Sequence, residues 1–449
     1  MRARTTLLKR AAASITAAGV ALSGAVVLSA APVQAAERVE TPFAYQGSAY
    51  GTRVSLGDPN AGGVESGRTA WSVLGCTSMA PILNNNGSNV AKLNANSMIE
   101  VGAVDSSTSS YRKPKRKLYG SRSINKVAGL TIGPDDGPRL KFGAFTTTAH
   151  AFHNGKRFRA EASFDVLNVD YFDIPESAGP LGDLLDAIDA GDNQLIEQII
   201  AGAGSEGIAI PQVGTIYPAG TAKTPSSRSG ATANAYGIRI ALENGSQVNI
   251  GRAWAKIQPS YPAGVFAGHA YGLEAKLVDG VLGIGRTPYQ NLPCIGTDGE
   301  WKKNGLLDLP QNENFNAGAL RAETFGKPYR DGRAVARARA TVADIVLGGG
   351  ALEIQGVVGQ VNVFQNRKGR VVRRNIEGTR IGAIIADGEA QEIPAPGEAL
   401  EIPGLALIKA GLRQNLGKRG VRVHALRVEL LDGTGLVLNI GTAKAKILR

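Results

Sequence analysis

One stretch of this chain occurs twice. His424–Ile447, HALRVELLDGTGLVLNIGTAKAKI, matches Asn234–Ile257, NAYGIRIALENGSQVNIGRAWAKI, at a constant offset and without a gap. From Asn249 to Ile257, seven of nine residues are identical to Asn439–Ile447. Each version reads as a strand, a turn centred on Gly245 or Gly435, and a second strand. A chain that carries such a unit twice is constrained to an architecture with two similar parts.

Four further matches precede this one, in the same order in each part. Tyr45–Leu56, YQGSAYGTRVSL, corresponds to Phe266–Leu277, FAGHAYGLEAKL. Gly67–Cys76, GRTAWSVLGC, corresponds to Gly285–Cys294, GRTPYQNLPC, with Trp71 opposite Tyr289. Val127–Gly133 answers Val342–Gly348, and each continues into a long strand ending near His153 or Gln365. Ile210–Val213 answers Ile402–Leu405. Coincidence would scramble the order, so the pattern is a tandem duplication, with a first copy over 43–258 and a second over 264–449. Pro259-Ser260-Tyr261-Pro262 is too short a connection for independent motion, so the copies are expected to pack together.

Glycine is abundant, 58 of 449 residues, and valine, isoleucine and threonine recur in short alternating runs. That composition favours many short strands joined by tight turns. The predicted fold is all-β, two tandem β-sandwich-like domains, with core faces drawn from alternating residues such as Ile238/Ile240 and Val428/Leu430. The first copy alone carries an insertion, 180–201. Leu181, Leu184, Leu185 and Ile188, then Leu195, Ile196, Ile199 and Ile200, have helical spacing, interrupted at Gly191-Asp192. This predicts two short amphipathic helices, Asp192 capping the second, lying as a lid over an open sheet end.

Residues 1–35 read as a Sec-type signal peptide. Arg2, Arg4, Lys9 and Arg10 precede an uncharged run from Ala11 to Ala31, and Val33-Gln34-Ala35 fits a cleavage site after Ala35. No arginine pair marks a twin-arginine signal, and no cysteine follows the site. The expected product is secreted or held at the cell surface, with no membrane span in the mature chain. Loss of the leader's four cations lowers the formal charge from +12 to +8, too diffuse to argue for nucleic-acid binding.

Residues that could carry chemistry are few. Cys76 and Cys294 hold equivalent positions, which meet only near a pseudo-twofold axis. In an exported chain they are either a disulfide or two buried thiols, one in each copy. His150 and His153 form an H-x-x-H, but residues three apart on a strand point to opposite faces and share no metal. Asp135-Asp136 sits between Gly-Pro pairs and reads as turn chemistry first and a calcium ligand second. Hydrolase, metalloprotease and phosphate-loop signatures are missing, and no cofactor or metal site is read.

Two basic features remain. Tyr111–Lys117, YRKPKRK, places Arg112, Lys113, Lys115, Arg116 and Lys117 in one loop, which Pro114 keeps extended. Arg333, Arg337 and Arg339 alternate with alanines, so they line one strand face while Ala334, Ala336, Ala338 and Ala340 line the other. On Asn249–Ile257, Arg252, Trp254 and Lys256 share a face. Trp254 is either exposed, able to stack on a sugar beside those cations, or buried between the copies.

The runs Ala340-Thr341-Val342-Ala343-Asp344-Ile345, Ile402-Pro403-Gly404-Leu405, Val423-His424-Ala425-Leu426 and Asn439-Ile440-Gly441 resemble the choice-of-anchor P family. These are exported bacterial proteins whose C-terminal anchoring signals vary. The resemblance covers most of the second copy and, in diverged form, the first. It implies a β-rich extracellular domain without an assigned enzymatic site. The sequence departs from anchored members in ending Lys444–Arg449, without a sorting motif or apolar tail. The functional expectation is an exported, non-catalytic structural or binding module. Its expected partner is an anionic cell-envelope or extracellular polymer, met through the 112–117 loop and Trp254. The alternative is a polysaccharide-acting enzyme whose paired carboxylates converge only in the fold.

Overall fold

Alternation governs almost every strand. In Ala334–Leu347 the side chains of Ala334, Ala336, Ala338 and Ala340 are fully buried, while Arg337 and Arg339 point the other way. One face of such a strand leaves water and the other stays wet, so each sheet must cover its apolar face with a second one. The computed structural model describes residues 37–56, 64–65, 68–89, 92–93, 99–134, 137–172, 174, 180–191, 198–199, 207–210, 213–217, 221–226, 229–243, 245–276, 283–307, 315–431, 433 and 435–448. The predicted signal peptide over 1–35, the Asp135-Asp136 turn and the Asp192 cap lie outside these residues.

We label the long strands in chain order. In the first half these are β1 (Val39–Leu56), β2 (Ser72–Ala80), β3 (Ile82–Asn89), β4 (Ala103–Lys113), β5 (Leu118–Val127), β6 (Phe145–His153), β7 (Phe158–Val166), β8 (Gly230–Leu242) and β9 (Ser246–Pro259). One antiparallel sheet runs β8–β9–β1 with β2 also paired to β1, and the facing sheet runs β7–β6–β5–β4–β3. Tyr45, Leu74, Ala149, Ala151, Ala253, Ala255 and Ile257 fill the space between them.

The second half repeats that order. Its strands are β10 (Val265–Lys276), β11 (Thr287–Leu292), β12 (Trp301–Leu306), β13 (Leu320–Pro328), β14 (Ala334–Leu347), β15 (Leu352–Gln365), β16 (Ala406–Asn415), β17 (Gly420–Leu430) and β18 (Val437–Leu448). One sheet runs β11–β10–β18–β17–β16 and the other contains β12–β13–β14–β15. In each half the first strand pairs with the last: Phe43 lies opposite Pro259, and Val265 opposite Leu448. The molecule is thus all-β, built of antiparallel sheets packed face to face.

The halves differ in two respects. Where β14 and β15 run unbroken, the first half interrupts the corresponding strands, and Leu130–Ile132 and Arg139–Phe142 continue in a separate five-stranded sheet. Helix α1 (Pro180–Asp189) packs into the core of the first half beside Val169, Ile208 and Ile210. It buries Leu181, Leu184 and Leu185 in the core and turns Asp183, Asp186 and Asp189 outward, as the helical spacing predicts.

From Arg38 onward the chain forms one compact unit. The short pair Val64–Glu65 hydrogen-bonds to β1 on one side and to Gly283–Ile284 of the second half on the other. Beside it, Ala44 and Cys76 are buried against Val265 and Cys294, with Ala267, Ile295 and Leu448 packed around them. Ala267 and Leu448 lie on the outward faces of β10 and β18, so the halves meet through the outsides of their sheets.

Candidate functional site

The predicted basic loop is the hairpin between β4 and β5. Arg112 pairs with Tyr119 and Lys113 with Leu118. Pro114 does not keep the loop extended: its fixed φ suits the first position of a single 3-10 turn, Pro114–Arg116, after which Lys117 takes a left-handed φ of 49°, its N–H donating to the Pro114 carbonyl oxygen at 2.9 Å. Arg112, Lys113, Lys115, Arg116 and Lys117 are all exposed. The neighbouring β6–β7 turn abuts the same apex, with Gly155 against the Lys117 side chain, and adds exposed Lys156 and Arg157. Those two were not read from the sequence, because only strand pairing brings the turns together. None of the seven cations forms an ion pair within 4.0 Å among the described residues.

Trp254 is elsewhere. Its neighbours Ala253 and Ala255 face the core, so the indole lies on the outer face of the β8–β9–β1 sheet, half-buried, between Ser48 and Asn234. The basic hairpin belongs to the opposite sheet. Ser123 of β5 reaches the Trp254 carbonyl oxygen at 2.6 Å, but through the sandwich interior. The fold does not bring the indole and the hairpin together, since period-two alternation sends the ring away from the facing sheet.

The outer face that carries Trp254 is a lattice of cations and rings. The Arg68 guanidinium lies over Tyr50 at 5.4 Å and over Trp71 at 4.9 Å, and Arg252 lies over Tyr236 at 5.0 Å. Trp71 donates its indole N–H to Ser48 Oγ at 3.1 Å. The matching face of the second half carries Arg286 over Tyr271 at 5.2 Å, His269 beside Tyr271 and Tyr289, and His424 bonded to Thr442 at 2.8 Å. Burial, and then the positive charges of Arg286, Lys444 and Arg422, lower the His269 pKa to about 3. Burial and Arg422 lower that of His424 to about 4. Both imidazoles are therefore neutral near pH 7.

Cys76 and Cys294 form a disulfide with Cα atoms 5.4 Å apart, linking the edge of one half to the edge of the other. His150 and His153 lie on opposite faces of β6. His150 bonds Tyr111 Oη at 2.6 Å and Glu161 at 3.1 Å on the outer face, while His153 packs against Phe43 and Phe158. Burial raises the Tyr111 pKa to about 12, so this hydroxyl is a proton donor rather than an activated nucleophile. The arginines of β14 stack on aromatic rings, Arg339 on Trp301 at 5.0 Å and Arg337 on Phe325 and Phe364. Among the described residues no cluster of three His, Cys, Asp or Glu side chains suits a metal ion, and no helix is long and apolar enough to cross a membrane.

No family model and no curated protein matches the chain. Among solved structures it is similar to the alcaligin outer membrane receptor FauA from Bordetella pertussis, at 7% identity over 91% of this chain and 76% of that one, TM-score 0.15. It is likewise similar to the toluene transporter TbuX from Ralstonia pickettii, at 10% identity over 91% and 89%, TM-score 0.14. Likenesses this slight carry no argument.

Proposed function

We propose that this protein is an exported, non-catalytic binding module that contacts anionic cell-envelope or extracellular polymers through the apex of its β4–β5 hairpin. The observation that carries this is seven exposed cations on two adjoining turns, with no acidic partner among the described residues. Such a cluster attracts a polyanion without demanding one sequence of sugars, and salt weakens it over a Debye length of about 8–10 Å. The signal-like leader, the disulfide and the resemblance to choice-of-anchor P proteins agree with an extracellular setting. The enzymatic alternative needs two carboxylates lining a cleft. The two buried acids among the described residues, Glu274 and Glu323, are instead each held by arginines.

Co-sedimentation of the mature protein with isolated cell-envelope material across a salt series tests the reading. Retention is expected at low salt and is expected to fall as salt rises. Replacing Arg112, Lys113, Lys115, Arg116 and Lys117 by serine is expected to abolish most of it. Retention unchanged by that replacement at low salt removes the hairpin from the function.

A further inference from the structure

The seam between the halves brings equivalent residues together. Cys76 is bonded to Cys294, and eight positions earlier in each half stand Arg68 and Arg286, close enough for each to feel the other's charge. Each arginine lies over an equivalent tyrosine, Arg68 over Tyr50 and Arg286 over Tyr271.

There the equivalence ends. Arg286 Nε donates to Glu274 Oε1 at 3.1 Å. Glu274 also accepts from Tyr271 Oη at 2.9 Å and Asn439 Nδ2 at 3.3 Å, and it lies 3.5 Å from Lys276 Nζ. Glu274 stands three residues after Tyr271; three residues after Tyr50 stands Arg53. The first half therefore has an arginine where the second half has the carboxylate that neutralises its partner. Arg68 has no carboxylate within 4.0 Å among the described residues and feels the charges of Arg53, Arg252 and Arg286. Burial, and then Arg53, hold its guanidinium below its ordinary pKa.

The line of charge continues on both sides. Among the described residues the buried Nε of Arg252 has no acceptor, and neither has that of Arg422 across the seam. Burial lowers the Lys444 pKa, and Lys446, Arg422 and Arg286 lower it further. Glu274, already bound to its own partners, is the one buried carboxylate on this surface among the described residues. A half-buried row of like charges with donors that lack acceptors is the arrangement a protein uses to receive an anion.

We propose that the seam binds an oxyanion group, a phosphate, sulfate or carboxylate borne by a polymer, at Arg68 with Arg252 and Arg286 on either side. The ligand supplies to Arg68 the negative oxygens that Glu274 supplies to Arg286. A guanidinium presents two parallel N–H donors to such a group. Trp71, 41% exposed and fixed by its bond to Ser48, stands beside the site as a platform for an attached sugar ring. The site stands apart from the basic hairpin and does not depend on it.

The test is calorimetric titration of the mature, disulfide-intact protein with inorganic phosphate, inorganic sulfate and a uronic-acid oligosaccharide, at constant ionic strength set with chloride. Saturable binding of at least one is expected, and which one binds assigns the oxyanion. Arg68→Gln is expected to weaken it about tenfold or more. Arg53→Glu, which installs the carboxylate of the second half, is expected to abolish binding while the circular dichroism spectrum stays that of the folded parent protein, so that the loss is not unfolding. The serine-substituted hairpin variant is expected to keep the response, which separates this site from the polymer contact proposed above. Binding of none of the three beyond chloride, or parental affinity in both Arg68→Gln and Arg53→Glu, overturns the proposal.

Discussion

Gly359 and Gly441 stand back to back across the second sandwich. A β-carbon on Gly359 would fall inside the carbonyl group of Gly441, whose own φ is 62°. The two sheets touch there through bare backbone. Gly359→Ala is therefore expected to push the sheets apart and lower stability by about 3 kcal/mol, the upper part of the usual overpacking range. Gly75, with open space around its would-be β-carbon, is the control; its alanine variant should unfold within about 0.5 kcal/mol of the parent protein. Urea unfolding measures both.

The disulfide closes a loop with a sequence separation of 218 residues. In the chain-entropy account a cross-link this long restricts the unfolded chain strongly. Cys76→Ser with Cys294→Ser is expected to cost about 2–5 kcal/mol in denaturant unfolding. Alkylation of the folded, oxidised protein without reductant, followed by mass measurement, is expected to label neither cysteine.

Glu274 links pH to stability. Burial alone would raise its carboxyl pKa, but Arg286 and Lys276 outweigh that, and the net shift is downward. A carboxyl with a depressed folded pKa stabilises the fold above its unfolded value near 4.3, and the contribution is lost as pH falls through the folded pKa. Glu274→Gln is expected to destabilise by about 1–3 kcal/mol at pH 7, less than for a fully buried pair because Arg286 is partly solvated. The difference from the parent protein should shrink below about pH 4.

His269 and His424 act in a different window. Their folded pKa values, about 3 and about 4, lie below the ordinary 6.5, because burial and neighbouring cations disfavour the imidazolium. Between about pH 6.5 and pH 4 the unfolded chain binds the extra protons, so stability is lost as pH is lowered, by up to about 1.4 kcal/mol per unit for each histidine. His269→Gln should flatten the dependence of stability on pH between 7 and 4. An unchanged slope would mean that His269 is as easily protonated in the fold as outside it.

Much of the architecture was legible because duplication and period-two alternation act over short distances. The alanines of β14 went to the core and its arginines outward, and Ile238 and Ile240 are buried as the alternation predicts. The first sandwich was harder to read. Ser106, Thr108, Ser110, Ser121, Ser123 and Asn125 face its interior, where Ser72 bonds Thr108 at 3.0 Å and Asn125 bonds Ser106 at 2.8 Å. A run such as Asp105–Ser110 has no apolar face to mark its inward side. The surfaces were legible only as composition. The hairpin cations were plain in the sequence, whereas the place of Trp254 depends on which sheet carries it. The meeting of Arg68 and Arg286 depends on how the two outer faces dock.

Because Phe43 lies opposite Pro259, each half begins where it finishes, on neighbouring strands at the same end of one sheet. A gene segment encoding such a body can be copied in tandem with only a few linking residues, since its two ends already lie side by side. The five-residue step from Ser260 to Gly264 is that linkage here, held by the bond from the Gly264 N–H to the Tyr261 carbonyl. Once copied, the halves were free to diverge at single positions. A carboxylate at Glu274 in one half and a guanidinium at Arg53 in the other give the same position of the repeat opposite charges.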